Sequence, residues 1–372
     1  MPRILLVFEF GTLNGGERSM LAVLPQFVGT DLEFVALVPV DGPLCGSLGA
    51  LGVSVLTFDA RRENGERQEP SRLVEEIRSA AKRARPDLIH GNSLSMGRHT
   101  GTLAAELRVP TTAHLRDIIG LTRRAVEQLN ANRTLVPVSQ AVRDFHAAQG
   151  VEMDRMHIVY NGIEAEAFRC LDGGPCLRGE LGLPEDAYLV ATIGQICLRK
   201  GQDMFAKAAA LAAPRMPGAH FLLIGERHST KTETALYDQA ISFEFAMAGL
   251  KDRFHRLGYR TDIESLLPHI DLIVHSARQE PFGRVLLEAA AAERPIIATS
   301  VGGTGEMLTH GESAILVAPN EPQPLADAMA LLRRDTALGS RLAAVARERV
   351  LTRFSIEQSA RSLAEVWRKA LG

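Results

Sequence analysis

The sequence predicts an α/β protein of two doubly wound domains, each a parallel sheet covered by helices. Three observations carry this. The chain has 372 residues, more than one ordinary hydrophobic core accommodates. Short apolar runs of strand length alternate with longer amphipathic stretches throughout, the pattern of parallel sheets buried on both faces. A Gly- and Pro-rich stretch at 169–186, RCLDGGPCLRGELGLPED, divides the alternation into halves of similar size. The expected domains are therefore 1–170 and 171–354.

In chain order, the first half supplies strand-like runs ILLVFEF, FVALVPV, SVLTF, DLIHGN, TTAHLR and TLVPVS. GERSMLAVLPQF and PSRLVEEIRSAAKRA read as helices between them. The second half supplies YLVATIG, HFLLIGE, FHRLGY, DLIVHS, PIIATS and AILVAP as strands. DMFAKAAALAA, IESLLP, VLLEAAAA and EPQPLADAMALLRR read as their helices. The polar segment 226–240, ERHSTKTETALYDQA, is longer than a tight turn needs and reads as a lid or an extra helix. The final stretch FSIEQSARSLAEVWRKALG has helical periodicity, and residues 355–372 are long enough to pack back on the first domain. Ligands of open α/β sheets bind at the carboxyl ends of the strands, so two such domains facing each other would form a binding cleft.

Composition narrows the function classes. Hydrophobic content of 46% and charged content of 23% suit a globular enzyme. Aromatic content is 5% and the formal net charge is −2, so neither base stacking nor a global basic field points to nucleic acid. The four cysteines, Cys45, Cys170, Cys176 and Cys197, form no CxxC and no metal spacing, as expected of reduced cytoplasmic thiols. MPRILLVFEFG lacks the long apolar region of a signal peptide, and no run approaches the roughly 18 apolar residues of a membrane span. A cytoplasmic location follows as the expectation.

Four motifs sit where strands give way to loops. Gly15, Gly16 and Glu17 in GTLNGGERSML follow the first strand and open a helix. Glycines there let backbone approach a ligand, and a helix N-terminus favours an anion. The GxGxxG dinucleotide pattern is absent. His114 in TTAHLRD lies at a strand end, where it can donate to a hydroxyl or phosphate or serve as a structural histidine; no GxSxG accompanies it. Gly194, Gln195, Arg199 and Lys200 lie in GQICLRKG, which is not a Walker A; Lys200 before a glycine is placed to meet phosphate oxygens.

The fourth motif is EPFGRVLLE, Glu280 to Glu288. Pro281 suits the first turn of a helix running to about Arg294, before Pro295. On that reading Glu280 precedes the helix and Glu288 lies two turns inside it, roughly 12 Å apart along the axis. An acid–base pair acting on one glycosidic bond needs about 5–9.5 Å. The spacing instead suits contacts to two parts of one extended ligand. The amides of Phe282, Gly283 and Arg284 would be open at the helix start.

Together these motifs resemble the family 4 glycosyltransferases of the GT-B fold, two Rossmann-like domains facing a central cleft. Glu280 and Glu288 fill the family's E-x7-E. GQICLRKG resembles its G-R-x-x-x-x-K-G, and GGERSML its N-terminal G-G-x-E. GGTGEML, VPVSQAV and VYNGIEAEAF also fall in the family's order. The resemblance implies a retaining, metal-independent hexosyltransferase with a nucleoside-diphosphate sugar, UDP favoured over GDP, as co-substrate and no cofactor. It implies Glu280 on the donor sugar, Glu288 on the ribose, Lys200 on the diphosphate, Gly15 and Gly16 near phosphate and acceptor, and His114 beside the sugar. His114, Lys200 and Glu280 are the implied catalytic residues. Gly194, Gln195, Arg199, Phe282, Gly283, Arg284 and Val285 complete the implied donor site, with no metal ligand.

Gln195 departs from the pattern: the family has arginine there. A neutral amide forgoes a charge-assisted bond to the diphosphate, typically about 1.5–3 kcal/mol; Arg199 is the nearby cation that could compensate. Two alternatives to a transferase stand: a non-catalytic sugar-nucleotide-binding protein, motivated by Gln195, and a sugar-nucleotide epimerase, which shares the two-domain architecture but against which the E-x7-E context argues. The hydroxyl acceptor, a saccharide, a lipid-linked sugar or a small molecule, is expected at loops 11–18, 61–70, 91–98 and 114–124. Cell-surface polysaccharide, glycolipid or small-glycoside synthesis is the expected setting, and peripheral association with the inner face of the membrane is compatible with it.

Overall fold

The computed structural model describes residues 1–61, 66, 68–169 and 177–372. It separates into two compact units, Met1–Gly162 with Ile356–Gly372, and Ile163–Ser355. The division falls earlier than the expected 170/171. The reason is local: the Ile163 N–H donates to the Phe354 carbonyl at 3.0 Å, and Ala165 and Phe168 are buried, the turn they lie on packing against a helix of the second unit. Residues 170–176 of the expected linker, with Cys170 and Cys176, lie outside the described residues, as do 62–65 and 67 of one expected acceptor loop. Cys45 and Cys197 are free thiols.

Each unit is built on a six-stranded sheet. In the first, β1 (Arg3–Val7), β2 (Glu33–Pro39), β3 (Ser54–Phe58), β4 (Leu88–Gly91), β5 (Thr111–Leu115) and β6 (Thr134–Pro137) lie in the order β3-β2-β1-β4-β5-β6. In the second, β7 (Tyr188–Ile193), β8 (Ala219–Ile224), β9 (Phe254–Gly258), β10 (Leu272–His275), β11 (Ile296–Thr299) and β12 (Ile315–Val317) lie in the order β12-β11-β10-β7-β8-β9. Every pairing is parallel. All twelve apolar runs are strands. The chain reverses direction across the sheet between β1 and β4, and again between β7 and β10, and such switch points are where doubly wound sheets bind ligands.

The central strands are apolar without alternation because both faces are covered. In β1, Ile4 and Leu6 pack with Met20, Phe27 and Trp367 on one face, while Leu5 and Val7 pack with Ile77, Ala81 and Leu103 on the other. Trp367 comes from the last helix, Ile356–Leu371, and its ring lies 5.5 Å from those of Phe27 and Phe34. The Ser359 hydroxyl of that helix donates to the Tyr160 carbonyl at 2.8 Å. The last helix therefore belongs to the first unit. Its buried face includes Ile356, Leu363, Val366 and Trp367, and each such side chain contributes about 1.5–3 kcal/mol of burial. In the second unit Phe205, Phe221 and Phe245 form the aromatic centre, with centroids 5.8–6.3 Å apart.

Several helices went unread in the sequence. Leu94–Leu107, Arg123–Asn130 and Gln140–Ala147 each start on a hydroxyl cap: Ser93 accepts from the Met96 N–H at 3.1 Å, Thr122 from Ala125 at 3.2 Å and Ser139 from Val142 at 3.1 Å. The polar segment 226–240 leads into a helix, Thr232–Met247. Among the described residues no helix is long and apolar enough to cross a membrane.

Candidate functional site

In the first unit the carboxyl ends of β1, β4 and β5 bring together residues far apart in sequence. The helix Gly15–Val23 begins just beyond β1. Asn92, just past β4, donates through Nδ2 to the Gly16 carbonyl at 3.2 Å. Arg116, just past β5, donates from Nε to the Asn92 carbonyl at 3.1 Å, from Nη2 to Asn92 Oδ1 at 3.0 Å and from Nη1 to Asn161 Oδ1 at 3.0 Å. A Cβ on Gly16 would stand 3.1 Å from Arg116 Cδ, so a small residue is needed for this packing. Gly15 is exposed, with nothing within 4 Å of a Cβ position, and is open to a ligand.

His114 is 3% exposed, and its Nδ1 lies 2.8 Å from Nε2 of His90. Burial, with the nearby Arg116 charge, holds its pKa well below the usual imidazole value, so the ring is neutral at pH 7. Its other nitrogen, Nε2, makes no hydrogen bond among the described residues. Sequence reasoning singled out His114 but missed His90, Asn92 and Arg116. Two of these stood in plain view as polar residues closing the apolar run DLIHGN.

Glu17 is 4% exposed, and its pKa is raised to about 7, chiefly by burial, against the lowering influence of backbone N–H groups and Arg116. The sign is fixed by linkage. A carboxyl whose folded pKa exceeds its unfolded value destabilises the fold as pH rises between the two, because the unfolded chain releases its proton first. Glu17→Gln is therefore expected to match the wild type near pH 4 and to be about 2–3 kcal/mol more stable above pH 7. Urea unfolding at pH 4.5 and pH 8 checks this; an equal difference at both would refute it.

In the second unit the ends of β7 and β10 meet. β7 runs into Gly194, then a short turn Leu198–Lys200, then Gly201, which starts the helix Gln202–Ala212. Lys200 Nζ lies 2.5 Å from Glu280 Oε2, and His275 Nε2 lies 2.8 Å from the same oxygen. Glu280 is 4% exposed. Burial alone would raise its pKa, but the Lys200 charge and the His275 N–H outweigh it and hold the carboxyl far below the usual range, ionised. Burial likewise pushes His275 down, so a neutral His275 donates to Glu280. The Glu280 carbonyl accepts from the Gly303 N–H at 3.0 Å, which ties GGTGEML to the same loop. His275, on DLIVHS, is the second-unit residue that sequence reasoning missed.

The expected helix from Pro281 is corrected. The helix is Arg284–Ala291, and Gly283 caps it at φ 98°, a left-handed conformation that cannot continue a right-handed helix. Pro281 and Phe282 thus belong to the loop, and Glu288 lies one turn inside the helix rather than two. The open amides at the helix start are those of Arg284 and Val285. The Phe282 ring is buried, 5.7 Å from that of Phe354, so its side chain faces the core rather than a ligand. Glu288 accepts from Arg284 Nε at 2.8 Å, while Arg284 Nη1 is buried without a partner. Gln195 is exposed, and its backbone carbonyl accepts from Gln202 Nε2 at 2.9 Å. Among the described residues the Arg199 side chain donates to the Gln279 carbonyl, at 3.5 Å.

Comparison with known proteins matches both units. Residues 13–167 match the model of Glycosyltransferase Family 4, and residues 187–335 that of Glycosyl transferases group 1. The lipopolysaccharide core biosynthesis mannosyltransferase LpsB of Rhizobium meliloti is 29% identical over 212 residues, 56% of this chain and 60% of that protein. The D-inositol 3-phosphate glycosyltransferase of Mycobacterium bovis is 28% identical over 243 residues, 65% of this chain and 49% of that protein. The chain thus spans about half to three-fifths of the length of these relatives. Among solved structures, Anabaena HepE in complex with UDP superposes with a TM-score of 0.85 at 24% identity, covering 99% of this chain and 100% of that one. The lipopolysaccharide glycosyltransferase WaaG gives 0.72 at 17% identity, covering 97% and 99%. The fold is that of the GT-B glycosyltransferases, and the chain belongs to glycosyltransferase family 4, with a group 1 glycosyl transferase domain in its second half.

Proposed function

We propose that the protein transfers a sugar from a nucleoside-diphosphate sugar, UDP first in preference, to a hydroxyl acceptor, with retention and without a metal. The observation that carries this reading is the buried Lys200–Glu280–His275 group. One carboxylate oxygen is saturated by Lys200 and His275, while Oε1 makes no bond among the described residues. An ionised, fixed carboxylate with one free oxygen suits a sugar hydroxyl, which donates to it. The Lys200 ammonium and the open amides of Arg284 and Val285 suit charge growing on the diphosphate as the sugar–oxygen bond breaks. In the same reading Glu288 takes the ribose and His114 donates to the sugar. UDP and UDP-glucose complexes of Anabaena HepE support the donor class, and the mannosyl- and inositol-phosphate glycosyltransferase relatives support a glycoside or surface-carbohydrate product.

A thermal-shift series with UDP, GDP, ADP and CMP and their sugar conjugates, with and without EDTA, tests it. The expected result is a shift with one nucleotide, unchanged by EDTA and lost in Glu288→Ala; at 100 times Kd the stabilisation is about 2.7 kcal/mol. No shift at millimolar nucleotide would overturn the reading, and loss of the shift in EDTA would overturn its metal-free part. One feature favours a second reading, a non-catalytic sugar-nucleotide binder: the exposed, neutral Gln195 stands where the family pattern has arginine. Such a binder would show the shift but no turnover of the matching donor.

A further inference from the structure

We propose that Trp367, Thr112 and His90 form a tautomer lock that fixes His114 as a hydrogen-bond donor through Nε2. The Trp367 indole Nε1 lies 3.2 Å from Nδ1 of His90, and the Thr112 hydroxyl lies 2.8 Å from the same nitrogen. An indole N–H can only donate. His90 Nδ1 must therefore accept, and the Thr112 hydroxyl donates to it as well. A neutral imidazole that accepts at Nδ1 carries its proton on Nε2. That N–H faces Nδ1 of His114 at 2.8 Å, so His114 accepts there and carries its own proton on Nε2. The opposite assignment would set the indole N–H against an N–H and leave it unsatisfied in a site where Trp367 and His90 are fully buried.

Both rings are neutral, which the lock requires. Burial, seconded by Arg116, pushes His90 down to about 3 and His114 well below the ordinary value. The rings meet edge to face, His90 against His114 with centroids 4.8 Å apart at 90° and against Trp367 at 5.4 Å and 79°. Neither histidine can turn over without losing a bond. The relay thus runs from the last helix through β4 to the end of β5, all within the first unit. Its outcome is an N–H, not a lone pair, offered by the nitrogen of His114 that has no partner among the described residues. Such a group matches an acceptor oxygen, here a donor-sugar hydroxyl; this last identification rests on the transferase reading. Trp367, Thr112 and His90 are positioning residues.

The lock is tested on the full chain labelled with 15N-histidine, by long-range 1H–15N correlation at pH 7.5, with signals assigned through His114→Gln and His90→Leu. The expected spectrum shows, for both rings, Nε2 protonated and Nδ1 bare. In Thr112→Val with Trp367→Phe, which removes both donors to His90, the His90 and His114 nitrogens should move toward averaged shifts. His90→Leu should release His114 in the same way, whereas His90→Gln, whose amide reproduces the donating N–H, should keep His114 Nδ1 bare. A His114 proton on Nδ1 in the wild type, or a His114 tautomer unmoved by His90→Leu in a folded variant, would overturn the proposal. The spectra need no substrate, so they stand apart from the transferase reading. Once a donor is known, His90→Leu should lower kcat roughly tenfold and His90→Gln should restore part of it. Failure of every nucleotide to bind would remove the sugar as the partner and leave the tautomer result intact.

Discussion

Lys200→Ala is expected to lower turnover by about 10²–10³-fold and stability by about 3–5 kcal/mol. The two losses have one cause. Glu280 is a buried carboxylate that ionises only because Lys200 and His275 meet one of its oxygens. Removing the lysine leaves an uncompensated buried charge, which costs far more than the pair contributes net. It also removes the cation expected to face the leaving diphosphate. Glu280→Gln should cost less than Lys200→Ala, and the double variant less than the sum, because the two groups share one interaction. The pH dependence follows from the depressed folded pKa of Glu280. The pair's stabilisation is complete above the ordinary carboxylate value, about 4.3, and is lost as pH falls from there toward the folded pKa. The stability gap between wild type and Glu280→Gln should therefore be constant from pH 7 to 5 and narrow below 4. Urea unfolding of the three variants at these pH values measures it; a Lys200→Ala protein as stable as wild type would remove the pair from the argument.

How far this site was legible depends on the kind of interaction. Strands were legible because a strand buried on both faces must be apolar at every position, as in Ile4–Val7 and Leu272–Val274. Glu280, Lys200 and His114 could be singled out because a titratable residue at the end of such a run, or in the loop that follows it, falls near the carboxyl edge of a sheet. Their partners were not. His90 meets His114 only through the β4–β5 register, in which His90 stands beside Thr112, and Trp367 reaches His90 from the far end of the chain. No local pattern encodes either contact. The start of the helix at Arg284 was misread because proline is a good first-turn residue, and the stronger signal, Gly283 two positions later, was not weighed against it. Both sheets share one strand order, yet no repeat was seen in the sequence. Burial constrains the class of residue at a position and leaves its identity free, so equal topology does not require recognisable repetition.

Gly201→Ala is expected to cost about 3–5 kcal/mol and to impair donor binding with it. Gly201 has φ 65°, and a Cβ there would stand 2.0 Å from the Ser276 carbonyl oxygen. The left-handed conformation costs an alanine about 1 kcal/mol. Pressing a methyl into a backbone oxygen costs about 1–3 kcal/mol more, because backbone cannot swing aside as a side chain does. Relief requires the loop after β7 to part from the end of β10, which breaks the 2.7 Å bond from the Ser276 hydroxyl to the Gly201 carbonyl, worth about 1 kcal/mol. Gly182 is the internal control: its φ is 63°, but nothing lies within 4 Å of its Cβ position, so Gly182→Ala should cost only the conformational part, about 1 kcal/mol. Since Lys200 is the neighbour of Gly201, any parting of the two strand ends carries its ammonium away from Glu280. The comparison of Gly201→Ala with Gly182→Ala, by urea unfolding and by nucleotide thermal shift, separates these terms. Equal stability costs would mean that the loop yields freely. A large cost with unchanged nucleotide binding would mean that Lys200 holds its place independently of the strand it follows, and the donor grip would then rest on the helix start at Arg284 rather than on the Lys200–Glu280 pair.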